Sequence, residues 1–233
     1  MKRIGVLGTG EVGRTLAGGL AAAGYDVMIG TRDPKRGAIQ AWLQGEGSGV
    51  SVGTFRESAA HGDALFLAVG WPHVDAVIEL AGSAEFEGKP LLDATNPLEA
   101  EVGEQAPTLA LGPSDSAGET IQRRLPGAQV VKAFNIVGAP HMVKPSFSDG
   151  VPDMIICGDA PVAKRAAAAL IQDLGWPEPI DLGGIEHARH LEALAMVLIV
   201  HFFNTGWQGE YAFKVLGKQA PDPASSGESL EDG

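Results

Sequence analysis

The sequence predicts an α/β fold built on a doubly wound, mainly parallel sheet, with a small helical extension at its C-terminal end. Three observations carry this prediction. Short β-branched or apolar runs alternate with helix-length segments along the first half of the chain, as parallel strands joined by crossover helices require. The run Ala64–Val69 (ALFLAV) is apolar without interruption, the pattern of a strand covered on both faces. Glycine supplies 32 of the 233 residues without a collagen period, so tight turns must surround a regular core.

Taken in order, Arg3–Leu7 reads as the first strand, followed by a helix around Arg14–Ala23 that Gly24 stops. Asp26–Ile29 is the second strand, Pro34–Leu43 a helix, and GEGSG at 45–49 a flexible turn. Val50–Thr54 is the third strand and Phe55–Ala60 a short helix; the buried run Ala64–Val69 follows, then the helix His73–Ala81. Pro90–Ala94 and Gln129–Ala133 are the fifth and sixth strands, separated by the helix Ala117–Arg124. Right-handed crossovers wind such units onto both faces of one sheet.

Two further strands, Met154–Cys157 and Pro179–Asp181, flank the Ala-rich helix Pro161–Leu174. Ile185–Phe203 is the longest helix, and Gly206–Leu216 is expected to pack beside it. From Lys218 the chain turns Pro-, Ser-, Gly- and acid-rich and loses apolar periodicity, the composition of a disordered tail. The expected division is therefore a main domain over 1–184, a helical extension over 185–217 and a tail over 218–233. The long Gly/Pro-punctuated stretch Gly138–Pro152 is the best candidate for a functional loop.

Composition excludes several classes. With 17 basic against 29 acidic side chains the net charge is −12, a poor match for nucleic acid. The single cysteine, Cys157, cannot build an internal disulfide or a cysteine-rich metal site, and reads as a small buried hydrophobe. No metal site is expected. The N-terminal apolar run breaks at glycines, and Leu191–Phe203 is too short for a span of about 20 residues. A cytoplasmic protein without a membrane partner is expected.

Between the first strand and first helix stands Gly8-Thr9-Gly10-Glu11-Val12-Gly13, a GxGxxG in its proper context. In that motif the first glycine makes the tight turn, the second admits a pyrophosphate, and the third lets helix pack on strand. The helix N-terminus then offers N–H groups and positive dipole character to phosphate. The motif in this context predicts a nucleotide-binding turn, against the alternative of a glycine-rich βα turn with no ligand.

The end of the second strand discriminates the cofactor, because NAD-selective folds place an acid there for the ribose 2′-hydroxyl. This chain instead has Thr31 and Arg32, followed by Lys35 and Arg36. A guanidinium offers planar paired donors to a 2′-phosphate, and Thr31 adds a hydroxyl. Asp33 before Pro34 fits a helix N-cap rather than a ribose ligand. NADP(H) is the expected cofactor.

Ligands of open α/β sheets lie beyond the carboxyl ends of the strands. That directs attention to Val69, Gly70 and Trp71, to Thr95, Asn96 and Pro97, and to Ala133 and Asn135. Trp71 is placed to stack on a ring; Thr95, Asn96 and Asn135 are suited to hydrogen-bond a ribose or carboxamide. His141, soon after the sixth strand, is a candidate proton carrier, which makes Asn135 and His141 the candidate catalytic residues.

The segments IGVLGTGEVGRTLAGGLAAAGYDVMIGTRDP, LLDATNP, VVKAFNIVGAPHM, DMIICGD and DLGGIEHARHLEALAM together resemble the NADPH-dependent reductases of the deazaflavin coenzyme F420. The resemblance runs from the N-terminus to about Met196. It implies a Rossmann domain with a small C-terminal extension, a homodimer, and hydride transfer between NADP(H) and F420. It maps NADP binding onto Gly8–Gly13, Thr31 and Arg32, and the deazaflavin near Thr95–Pro97 and Asn135–His141.

Two stacked redox rings react by proximity and orientation, so the absence of an evident acid–base pair is consistent with this chemistry. Two other readings stay open on the residues alone. One is an NADP(H)-dependent reductase of a small carbonyl or imine with His141 as acid. The other is a non-catalytic NADP(H)-binding redox sensor, since fold does not fix function.

Overall fold

In the computed structural model, which describes residues 2–99, 106–206 and 210–217, β1 (Arg3–Leu7) lies in the middle of a parallel sheet. β2 (Asp26–Thr31) pairs with it on one side and β4 (Ala64–Leu67) on the other. β3 (Val50–Thr54) completes the first flank; β5 (Pro90–Asp93) and β6 (Gln129–Lys132) complete the second. The order is β3-β2-β1-β4-β5-β6. It reverses direction beside β1, which is where a doubly wound sheet opens its ligand crevice.

All four residues of β4 are buried, as its unbroken apolar run requires of a strand covered on both faces. On one face of the sheet α1 (Glu11–Ala22) and α6 (Pro161–Asp173) bury Leu16, Leu20 and Leu170 against Ile29, Phe66 and Phe134. On the other, α3 (Phe55–His61), α4 (Val74–Ala81), α5 (Ala117–Arg124) and α7 (Ala188–Thr205) enclose Leu7, Leu67, Phe86 and Leu91. Each such side chain contributes about 1.5–3 kcal/mol on burial. The ends are set locally. Thr54 and Glu57 form a reciprocal capping box on α3, Pro161 opens α6, and Gly206 ends α7 in the left-handed region.

Two expectations need correction, the start of the second helix with the role of Asp33, and the helical character of residues 210–217. The second helix, α2 (Gly37–Leu43), starts three residues later than its sequence pattern suggests, and Arg36 occupies its N-cap position. Asp33 instead accepts from the Lys35 N–H at 3.0 Å, because a turn is inserted between strand and helix. The strands β7 (Ile155–Ile156) and β8 (Ile180–Asp181) form their own parallel pair, touching the main sheet through a bridge between Lys132 and Cys157. Residues 210–217 are not helical: the Asp153 N–H donates to the Phe213 carbonyl at 3.0 Å, and the Val215 N–H to Asp153 Oδ2 at 2.7 Å. The Tyr211 ring meets His201 of α7 edge-on at 4.5 Å. The expected tail, 218–233, lies outside the described residues.

Cys157 is completely buried, and burial pushes its thiol up to about 12. α7 buries Ala188, Leu191, Glu192, Ala195 and Leu198 along one stripe, while Val197 and Val200 stay exposed on its outer side. No helix among the described residues is long and apolar enough to cross a membrane.

Candidate active site

Parallel strands bring their carboxyl ends to one edge, so the turns after β1, β4, β5 and β6 stand in a row spaced by about 4.8 Å per strand. The first turn is built by its glycines. Gly8 has φ +128, and a Cβ there would lie 2.2 Å from the Ala68 carbonyl oxygen. A Cβ on Gly13 would lie 2.0 Å from the carbonyl oxygen of Gly8. These two glycines let the chain fold onto itself. At Gly10 a Cβ would meet nothing within 4 Å, so its surface is open. Gly10 is also the N-cap of α1 and no side chain caps that helix. Glu11 is exposed beside it, and Val12 is half-buried against the core.

A cavity of about 380 Å³ joins this turn to the end of β2. Gly8, Thr9, Thr31, Arg32, Asp33 and Arg36 line its polar side, while Phe55, Val69, His73 and Val77 line the apolar side. The combination suits a nucleotide: an apolar wall for a base, a hydroxyl, and two exposed guanidinium groups for phosphate. A larger hollow of about 540 Å³ lies on the other flank of the turn; it shares Thr9 with the first cavity, and Gly10 lines only this larger one. Glu11 and Glu46 line it with Arg14, a charge balance that suits phosphate less well, so the smaller cavity is the nucleotide candidate.

At the β4 end, Gly70 leads into a short 3-10 turn, Trp71–His73. Trp71 is half-buried and packs on the core beneath α4. The β5 and β6 ends are tied to each other. The Asn96 Nδ2 donates to the Asn135 carbonyl at 2.9 Å, and the Asn135 Nδ2 to Asn96 Oδ1 at 3.0 Å. Between them Phe134 adopts φ 62, a left-handed conformation that costs a bulky residue about 1–3 kcal/mol. Contacts with Phe66 and Trp176 hold it there, and its N–H points to Met154 Sδ at 3.3 Å. The strained turn sets the direction in which Asn135 leaves the sheet.

Thr95 Oγ1 and Asn135 Oδ1 are buried with no partner among the described residues, and such unmet capacity is rare in folded proteins. Thr95 itself is only 2% exposed, with the half-buried Ala94 and Asn96 on either side of it. Pro97 is buried; Ala133 is fully enclosed, and its N–H is given to the Asp93 carbonyl at 3.1 Å.

Under these strand ends sits a cluster of charges. The Lys132 Nζ, completely buried, donates to Asp93 Oδ2 at 2.7 Å, Glu192 Oε1 at 2.8 Å and the Thr95 carbonyl at 2.7 Å. Burial works against the lysine charge, but the two carboxylates outweigh it and hold its pKa above the ordinary lysine value.

His141 falls in the short 3-10 turn Ala139–His141. Its ring lies 4.7 Å from that of Phe147, and its Nε2 lies 3.7 Å from Glu210 Oε1. These contacts direct it toward the segment 210–217.

Of the apolar wall of the candidate cavity the sequence singles out Val69 but not Phe55, His73 or Val77, and it does not show the charge cluster. His73, Val77 and Leu80 repeat at i, i+4 and i+7, a one-sided helical stripe that pointed to such a wall. Lys132 at the end of the apolar strand QVVK and Glu192 inside an apolar helix each signalled a need for a buried partner.

Comparison with known proteins bears on the family of the chain. Residues 3–97 match the family model described as NADP oxidoreductase, coenzyme F420-dependent. The chain is 31% identical over 208 residues to the F420-dependent NADP reductase of Methanothermobacter thermautotrophicus, covering 85% of this chain and 88% of that protein. It is 32% identical over 198 residues to the metalloreductase STEAP3 of Rattus norvegicus, covering 84% of this chain but only 37% of that protein. A crystal structure from Arthrobacter sp. FB24, described as a candidate F420-dependent NADP-reductase, superposes with a TM-score of 0.86 at 38% identity. It covers 93% of this chain and 100% of its own.

Proposed function

The chain belongs to the family of F420-dependent NADP reductases, and from that premise we propose that it transfers a hydride between NADP(H) and a deazaflavin of the F420 type or a flavin-like acceptor. The observation that carries the reading is the single cavity shared by Gly8 and Thr9 with Thr31, Arg32 and Arg36. Bound NADP(H) would supply the hydride; the chain's task is to bind, orient and exclude water.

In this reading the turn Gly8-Thr9-Gly10-Glu11-Val12-Gly13 cradles the pyrophosphate at the uncapped start of α1. Arg32 and Arg36, with Thr31, take the 2′-phosphate. Val69, Gly70 and Trp71 line the middle of the dinucleotide. Thr95, Asn96, Pro97, Ala133 and Asn135 form the floor of the hydride end, where Thr95 Oγ1 and Asn135 Oδ1 lie buried without a partner among the described residues. A proton accompanies the hydride and exchanges with solvent, because the His141 ring is engaged with Phe147 and Glu210.

The residues 1–184 serve as the nucleotide domain and 185–217 as its extension. The exposed Val197 and Val200 of α7 support a homodimer through that helix, to be checked by sedimentation at micromolar concentration. A cytoplasmic location accompanies this chemistry.

The test is an acceptor screen: NADPH oxidation by the purified chain with F420, flavins, small carbonyls and imines. Turnover with F420 is the expected result. Turnover with carbonyls or imines alone transfers the function to that substrate class. Tight NADPH binding without oxidation by any acceptor makes the chain a sensor.

A further inference from the structure

Glu192 lies on α7, outside the sheet that carries the nucleotide site, yet it is 1% exposed. Its carboxylate joins three elements. Oε1 meets Lys132 Nζ of β6 at 2.8 Å and the Gly118 N–H at 3.2 Å, and Oε2 accepts the Ala117 N–H at 3.0 Å. Ala117 and Gly118 open α5. The helix start thus balances the second negative charge of the cluster.

Through Lys132 the grip passes to the hydride end. Lys132 donates to the Thr95 carbonyl at 2.7 Å, and its other partner, Asp93, accepts the Thr95 N–H through Oδ1 at 2.9 Å. The Thr95 residue is therefore clamped at both its N–H and its carbonyl by the cluster. The next residue, Asn96, is the one that pairs with Asn135. A buried ion cluster is weak evidence of stability, since apolar residues of like volume often serve as well. A cluster whose bonds converge on one turn of a binding edge has a positional consequence.

We propose that Glu192 is a positioning residue: it orders Lys132, and through it the Thr95–Asn96 turn, so that α7 sets the geometry of the nicotinamide end of the site. The inference rests on the NADP(H) reading above. It separates the two ends of the cofactor, because Glu192 belongs to the β5–β6 side, while the adenosine cavity is lined from β1, β2 and α4.

The experiment compares affinities of the full chain and its Glu192→Gln variant for NADPH and for adenosine 2′,5′-bisphosphate, which lacks the nicotinamide half. The expected result is a loss of at least about tenfold for NADPH, with the bisphosphate affinity unchanged and Glu192→Asp recovering part of the loss. Parallel weakening of both ligands, or no change in either, overturns the proposal. Should wild-type chain fail to bind the bisphosphate, the cofactor reading falls and takes this inference with it. If Glu192→Gln does not fold, amide hydrogen exchange on wild-type chain decides. NADPH, and not the bisphosphate, is expected to protect Thr95, Ala117 and Gly118 together. Equal protection by both ligands, or by neither, overturns the proposal.

Discussion

Asn96 and Asn135 tie two neighbouring strand ends together by a pair of hydrogen bonds in which one residue contributes more than the other. The Asn96 side chain donates to the Asn135 backbone at 2.9 Å and also accepts from the Asn135 side chain at 3.0 Å. Asn96 therefore serves both bonds and the Asn135 side chain only one. With each neutral bond worth about 0.5–1.5 kcal/mol, Asn96→Ala should lower stability in urea about twice as much as Asn135→Ala. Equal losses would contradict the pairing.

Arg32 and Arg36 are exposed and line the candidate nucleotide cavity. A hydrogen bond to a charged group contributes about 1.5–3 kcal/mol, so Arg32→Ala should weaken NADPH about ten- to hundredfold and leave NADH nearly unaffected. Fluorescence titration with both nucleotides checks this. A common loss for the two would remove the 2′-phosphate from the role of Arg32.

The glycines of the first turn separate folding from binding. A methyl group at Gly13 would sit 2.0 Å from the Gly8 carbonyl oxygen, whereas at Gly10 it would meet nothing within 4 Å. Gly13→Ala should therefore lower Tm strongly. Gly10→Ala should melt like wild type and lose NADPH affinity, because the methyl group intrudes only where the pyrophosphate is expected. Calorimetry with and without NADPH distinguishes the two, and unchanged affinity in folded Gly10→Ala would refute the cradle.

Asp63 accepts from the Arg3 guanidinium at 2.7 Å and from the Lys2 N–H at 3.2 Å, which lowers its carboxyl to about 2. The folded state thus binds this proton less readily than the unfolded chain. The stabilisation is complete above the unfolded value of about 4 and disappears as pH falls through about 2. Asp63→Asn should consequently be less stable than wild type at neutral pH, with the gap closing in acid. The pair is partly exposed, so the difference is modest and shrinks with salt. A gap that persists unchanged in acid would disprove the assignment.

Much of the fold was legible because local pattern and global packing agree. The strand runs at Arg3–Leu7 and Val50–Thr54 and the helix Ala117–Arg124 have the same limits in the sequence reading and the structure. Asp33 was misread because Asp before Pro is both a helix-cap and a turn signal, and only the path from β2 to α2 distinguishes them. Gly8, Thr31 and Arg32, singled out in the sequence, line one side of the candidate cavity. Phe55 and Val77, on its apolar half, were not recognised, since an apolar residue near a site and one in a core look alike in sequence.

By itself the sequence determined the strand order's raw material, the glycine turn, and the basic cluster after β2, because these depend on residue type and on spacing within one βαβ unit. Tertiary structure decided what depends on distant segments meeting. Phe134 takes φ 62 because Phe66 and Trp176 enclose it, which no local preference of phenylalanine would produce. Glu192 finds Lys132 across 60 residues of chain (192 − 132) only when α7 closes over α5 and β6. A buried charge shows in sequence only as a residue needing a partner; packing selects the partner and, through it, the turn that is held.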